Sequence, residues 1–298
     1  MKKILSVLLI SFAVPATVNA CEICGCSLGN YYIGLLPHFK HHFIGLRYQY
    51  GSFNTRLKDD PNEFSNDRYE TLELWAGWNL SRKFQVLAIL PYTFNHQVSD
   101  AGVTDLQGIG DLAVLVNYQL FSQSSPRFTQ QLYAGVGLKL ATGSFAIEEG
   151  DPDIAAVANT QRGSGSTDIL LNLMHHITVG NWGINTTAGY KINSTNREEY
   201  HFGNKFTANS FVYYSLQSKK IITSPNLGIT YEQSRKSELT GAKIDLTGGS
   251  LLMASLGAEF GFGKISVGCN VRLPLTQNFA DGQTRSTLKT MAHVSYAF

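Results

Sequence analysis

The 298-residue chain has no internal run of the roughly 20 apolar residues that a membrane-crossing helix needs. That excludes a helical transporter. Charge is scarce as well: Asp, Glu, Lys and Arg make up 15% of residues, against roughly 25% in ordinary soluble domains. Proline is sparse, at 8 residues. Familiar catalytic signatures are missing too. There is no phosphate loop, zinc-protease motif or paired-carboxylate signature, and His96, His201 and His293 are scattered with no Ser–His motif near them. The chain is therefore not expected to be an enzyme. What is plentiful is Gly (28), Phe (17) and Tyr (14), an aromatic load that excludes disorder. Mean hydropathy, −0.07, falls between a soluble and a membrane value.

The one strongly apolar stretch lies at the start. Residues 1–20 pair a positive Lys2-Lys3 with the short apolar segment Ile4 to Val14 and end in Val18-Asn19-Ala20. This is the pattern of a secretory signal peptide. Cys21 directly after Ala20 also resembles a lipoprotein signal, although Asn19 fits that pattern poorly. Cleavage removes two of the 24 basic residues and none of the 22 acidic ones, so the mature chain is formally neutral. Neutrality argues against a nucleic-acid partner, which needs a basic stripe.

Downstream the chain alternates apolar and polar residues, the period of a strand with two different faces. Ile44, Leu46, Tyr48 and Tyr50 alternate with Gly45, Arg47 and Gln49. Leu72, Leu74, Ala76, Trp78 and Leu80 oppose Glu73, Trp75, Gly77 and Asn79. Leu132, Ala134, Val136, Leu138 and Leu140 oppose Gln131, Tyr133 and Lys139. Twelve such segments are predicted in all. Long links (53–69, 96–109, 144–166, 194–203, 233–247, 277–285) alternate with short ones (81–83, 122–127, 180–181, 217–220, 261–263). Outer-membrane barrels have that asymmetry, and a soluble sandwich has no reason for it. Lipid leaves no backbone group to water, so the sheet should close. The expected fold is an all-β, transmembrane, antiparallel up-and-down barrel of about 12 strands.

Aromatics near strand ends (Tyr48, Trp78, Tyr92, Tyr118, Trp182, Tyr296) suit interfacial girdles facing outer-membrane lipid. Phe298 ends the chain on the alternating face and resembles the signal read by the bacterial barrel-assembly machinery. The implied organisation is a signal peptide at 1–20, a Cys/His-containing segment at 21–42 and a barrel at 43–298. Its implied place is the bacterial outer membrane, with a periplasmic N-terminus.

Ala88-Ile89-Leu90-Pro91-Tyr92, Gly108-Ile109-Gly110-Asp111-Leu112 and Gly137-Leu138-Lys139-Leu140-Ala141-Thr142-Gly143 follow one another in this order. The series resembles the outer-membrane barrel family named for the meta pathway of phenol degradation. That family carries an LPY strand, a GIGDL strand start and a GLKLPTG strand end. Ala141 departs from the usual proline. The resemblance covers residues 84–143 well and the remainder by topology, and it implies a channel or transport role. The chain also resembles Bacteroidetes-type barrels whose mature N-terminus begins with a CxxCGC segment.

Twelve strands fall between barrels filled by side chains and open 16-stranded porins, so a narrow or partly blocked pore is expected. The residues expected to line the lumen are Arg47, Glu73, Asp111, Lys139, Asp168, Lys191, Glu259, Arg272 and Lys289, of mixed sign. Asp111 is read either as a lumen group or as a structural partner for an inward Arg or Lys. Leu87, Ile89, Leu115, Leu170, Met174, Leu251 and Met253 fall on the same face. They could line a path for an apolar solute or pack against a plug, for which 21–40 is the candidate segment. Cys21, Cys24, Cys26 and His38 form a plausible copper or zinc set. A disulfide among these cysteines is the competing reading. The leading expectation is passage of small-molecule solutes with an apolar bias. A metal-handling envelope protein and a barrel enzyme acting on lipids are the alternatives.

Overall fold

A computed structural model describes residues 41–58, 62–147, 154–218 and 220–298. The segment 1–40 lies outside the described residues, and with it the expected signal peptide, the candidate plug, and the Cys21, Cys24, Cys26 and His38 set.

Alternation becomes strand throughout. The walls are β1 (Phe43–Arg56), β2 (Phe64–Asn79), β3 (Phe84–Ser99), β4 (Gly102–Ile109 continued by Leu112–Ser125), β5 (Phe128–Leu140), β6 (Asp168–Val179), β7 (Trp182–Ile192), β8 (Lys205–Tyr214 continued by Leu216–Ser218), β9 (Ile221–Ser234), β10 (Gly249–Phe262), β11 (Ile265–Phe279) and β12 (Thr284–Ala297). Each pairs antiparallel with its sequence neighbours, and β12 returns to β1 through pairs such as Phe43–Ala297 and Arg47–His293. The twelve walls therefore form a closed ring with no free edge. No helix among the described residues is long and apolar enough to cross a membrane; strands do the crossing.

Leu46, Leu74, Val136, Leu173, Ile229 and Leu256 are among many large apolar side chains exposed on the outer face. In water such a surface would aggregate, whereas in lipid it is the stable arrangement. At the end holding the short turns the outer face carries paired rings: Phe84 with Tyr118 at 4.8 Å, Trp182 with Tyr214 at 4.9 Å, and Trp78 with Phe298 at 5.9 Å. Phe298 is fixed further by its amide, which donates to the His42 carbonyl at 2.8 Å.

The long links are shorter than the sequence predicts. Of 96–109, only 100–101 turn, and the rest extends β3 and β4 as a hairpin. Likewise 277–285 contracts to the tight turn 280–283, and 53–69 to 57–63. The outer face of these extensions is largely polar, as at Arg68 and Glu70, and the inner face mixes Asp67 with Phe53, Tyr69 and Phe279. They carry no apolar alternation to read because they stand beyond the lipid band. The longest connection, 141–167, holds α1 (Ile154–Thr160).

The inner face is packed by matching large side chains to glycines on the neighbouring wall, as narrow barrels require. Phe43 lies over Gly77, Phe211 over Gly228, and Tyr213 over Gly183. A Cβ at Gly77 would stand 2.1 Å from the Phe43 ring. Gly77→Val is therefore expected to lose about 1–3 kcal/mol of unfolding free energy through overpacking. Urea titration in detergent measures it. An equal loss in a Phe43→Ala background would show that the clash is not the cause.

Candidate functional site: the barrel interior

All nine expected lumen residues lie on the inward face; eight are buried and Lys289 is partly so. The structure sorts them into groups. Arg47 of β1 donates through Nε to the Glu73 carboxylate of β2 and stacks over the Trp75 ring at 5.3 Å. On the same hydrogen-bonded row, His293 Nε2 of β12 meets the Glu259 carboxylate of β10 at 2.9 Å. Gly268 lies between them, and no larger residue would leave room. The row thus runs Glu259, Gly268, His293, Arg47, Glu73 across five walls.

A second group sits where 141–167 enters the barrel mouth. Lys139 Nζ donates to Asp111 at 2.7 Å and to the Ser166 carbonyl at 3.2 Å, is ion-paired with Asp168 at 2.8 Å, and also bonds the Ser164 hydroxyl. Asp111 in turn accepts from the Gly143 amide at 3.0 Å and the Ser164 amide at 2.8 Å. The partner reading of Asp111 is the one this geometry supports. Chain reversal at 163–166 needs small residues, since a Cβ at Gly163 would stand 2.5 Å from Asp111 Oδ1. Asn95 of β3 donates to the Thr160 and Gln161 carbonyls at 2.7 and 3.2 Å, which seats the end of α1 inside the wall. Above it, Ala158, Tyr200 and Phe202 form a small apolar core with Phe145, Ile154 and Leu239.

The three motifs meet in this group. The Gly110 amide donates to the Pro91 carbonyl at 2.8 Å, Thr142 Oγ1 to the Gly110 carbonyl at 2.8 Å, and Asp111 bridges Lys139 to Gly143. Their physical job is one knot that ties three walls to the inward loop.

The third group escaped the sequence reading in part. Glu232 of β9 pairs with Lys205 of β8 at 3.1 Å and with Lys289 of β12 at 3.2 Å, a contact that reaches past two intervening walls. Arg272 neighbours Lys289 in register and bonds Asn270 at 3.1 Å. Lys205 and Glu232 were accessible to the alternation rule, since Phe206 and Tyr231 face outward beside them. Asp67, buried and bonded to Gln97 at 2.9 Å, fell in an expected loop.

The apolar inward residues also cluster. Phe43, Trp75, Leu87, Ile89, Ala113, Leu115, Tyr133, Leu170 and Met174 pack together along β1–β6. Leu251 and Met253 pack with Phe53, Tyr69 and Phe279 elsewhere. Opposite the larger patch the inward face is polar, with Thr207, Asn209, Asn226, Thr230, Ser255 and Asn270 buried on β8–β11. His176 shares this interior and lies 3.3 Å from the Tyr213 hydroxyl. No group of metal-ligating side chains occurs among the described residues, and Cys269 is exposed on the outer face.

A closed twelve-wall barrel with an apolar outside and a mixed, loop-capped inside defines a bacterial outer-membrane β-barrel. Residues 62–273 match the family described as MetA-pathway of phenol degradation, and the chain belongs to it. Among solved structures it is similar to an outer-membrane channel from Pseudomonas putida F1, with TM-score 0.64, 14% identity, and 87% of this chain and 96% of that one covered. It is also similar to the beta domain of the Bordetella autotransporter BrkA, with TM-score 0.52, 9% identity, and 87% and 100% covered. Among curated proteins no sequence match is found.

Proposed function

We propose that the protein is a conduit for small solutes across the outer membrane, biased toward apolar ones, and not an enzyme. The observation that carries this reading is the contiguous apolar patch on the inner face of β1–β6. Lipid already serves the outer face, and this inward apolar patch, whose members are packed against one another, would meet a passing solute where those side chains part. Inward ion pairs, most of them between neighbouring walls as with Arg47 and Glu73 or Lys139 with Asp111 and Asp168, then brace the barrel from inside. Similarity in fold to a channel from Pseudomonas putida F1 supports the reading. In the same reading 1–20 is a removable leader, 21–42 a separate segment and 43–298 the barrel. The turn end and both termini face the periplasm, and Phe298 is presented to the assembly machinery.

Purified protein in planar bilayers is expected to give discrete conductance steps in KCl. Neutral phenol should reduce the current, and Leu170→Asp should weaken that block by about tenfold, the effect of losing about 1.4 kcal/mol of apolar contact. A silent bilayer from protein that is heat-modifiable on gels, with and without residues 21–42, would end the channel reading.

A further inference from the structure

The two ends of the barrel differ in charge. At the loop end both signs occur together, as with Lys236 and Asp245, paired at 3.0 Å. The short turns carry one sign only. Of the five, four hold a Lys or Arg, and none holds an Asp or Glu. The cations are Arg82 and Lys83 between β2 and β3, Arg127 between β4 and β5, Lys220 between β8 and β9, and Lys264 between β10 and β11. All five are exposed, and none has an ion-pair partner among the described residues. Among those residues, the terminal carboxylate of Phe298 is the one anion at that end. An exposed rim of one sign attracts a partner of the other.

Two of these cations also mark a depth. Lys83 Nζ stands 6.0 Å over the Tyr118 ring, and Lys264 Nζ stands 5.8 Å over the Tyr296 ring. Both rings belong to the aromatic belt of the outer face: Tyr118 packs on Phe84 at 4.8 Å and Tyr296 on Phe298 at 6.3 Å. Aromatic belts sit at headgroup level. The two ammonium groups are therefore held on the outside of the wall, at the depth of lipid phosphates. Ser81 Oγ accepts from the Lys83 and Phe84 amides at 3.3 and 3.2 Å, which fixes the turn that presents Arg82 and Lys83. From this charge and this placement we infer that the turn-end rim is a binding surface for anionic glycerophospholipid. One lipid phosphate is held by Lys83 with Arg82 beside it, and another by Lys264. The acyl chains then lie on the apolar outer wall, on Val116 below Tyr118 and on Val267 and Val294 below Tyr296. Lipid is favoured over an acidic protein because the belt rings hold both lysines against the lipid-facing wall. The surface is independent of what passes through the lumen.

Native mass spectrometry of the full chain in dodecyl maltoside reads the preference, with equal amounts of phosphatidylglycerol and phosphatidylcholine of different acyl mass. Phosphatidylglycerol is expected to be retained about fivefold more than phosphatidylcholine, the factor that one lysine contributes near an anionic lipid. Lys83→Gln with Lys264→Gln should remove the preference, and Lys83→Arg with Lys264→Arg should keep it. At the loop end, Lys243→Gln with Arg285→Gln removes the same charge from exposed positions and should leave the preference unchanged. No preference in the wild type, a preference that survives Lys83→Gln with Lys264→Gln, or an equal loss in the loop-end pair overturns the lipid site. Polyglutamate binding that the turn-end Gln pair abolishes, without any lipid preference, would assign the rim to an acidic protein and overturn it as well.

Discussion

Lys139→Met is expected to lose about 3–5 kcal/mol of unfolding free energy, the penalty for removing one partner of a buried ionic group. The substitution keeps the stem and removes the ammonium. Asp111 and Asp168 are then left 1% and 0% exposed with no cation between them. Their repulsion acts on the residues that bind 141–167, so that loop should also become accessible to protease. Denaturant titration in lipid vesicles and limited proteolysis read the two effects separately. If both carboxylates are replaced as well, in Asp111→Asn and Asp168→Asn, most of the loss should return. An unfolding free energy within about 0.5 kcal/mol of wild type, the range of ordinary surface changes, would show that the ion group holds nothing in place.

The second large effect belongs to the opposite face. Leu173 is 45% exposed, midway along β6, and points away from the packed interior. Leu173→Arg is expected to cost about 2–4 kcal/mol in lipid vesicles, because the guanidinium must enter hydrocarbon. Gln123→Arg, at an exposed position near the turn end, supplies the control and should cost far less. A depth-independent result would mean that this face does not meet lipid.

The architecture was readable because one physical rule acts on the whole chain. A wall between lipid and a packed lumen must alternate, and Leu72 to Leu80 or Leu132 to Leu140 could hardly fold otherwise. The rule stops where lipid stops. Beyond the band Arg68, Glu70 and Asp67 are all polar, so the sequence shows a loop where the structure carries a strand. The interior was legible to the extent that alternation assigns a face: it places Arg47, Lys139 and Arg272 inside, but it says nothing of partners. Glu232 reaches Lys289 only because the strands tilt and the ring closes, which is a property of three dimensions. The inward course of 141–167 was not legible either. Its Ser164 and Ser166 look like ordinary loop residues until Lys139 and Asp111 are set beside them. The motif residues, by contrast, were visible as a series, and only their mutual bonds give a reason for the order.

Closure of the ring limits how this protein can change shape. A sheet with a free edge can part at that edge, but here every wall is laced to two others, and parting any pair sacrifices a full ladder of backbone bonds at once. The cylinder is therefore stiff in circumference. Whatever opens or shuts must be hung from it: rotation of an inward side chain such as Lys289, or withdrawal of 141–167 from its anchor at Asp111. Those motions exchange a handful of polar contacts for water. The contacts such motions would break are made by side chains, whereas the ring itself is held by backbone ladders.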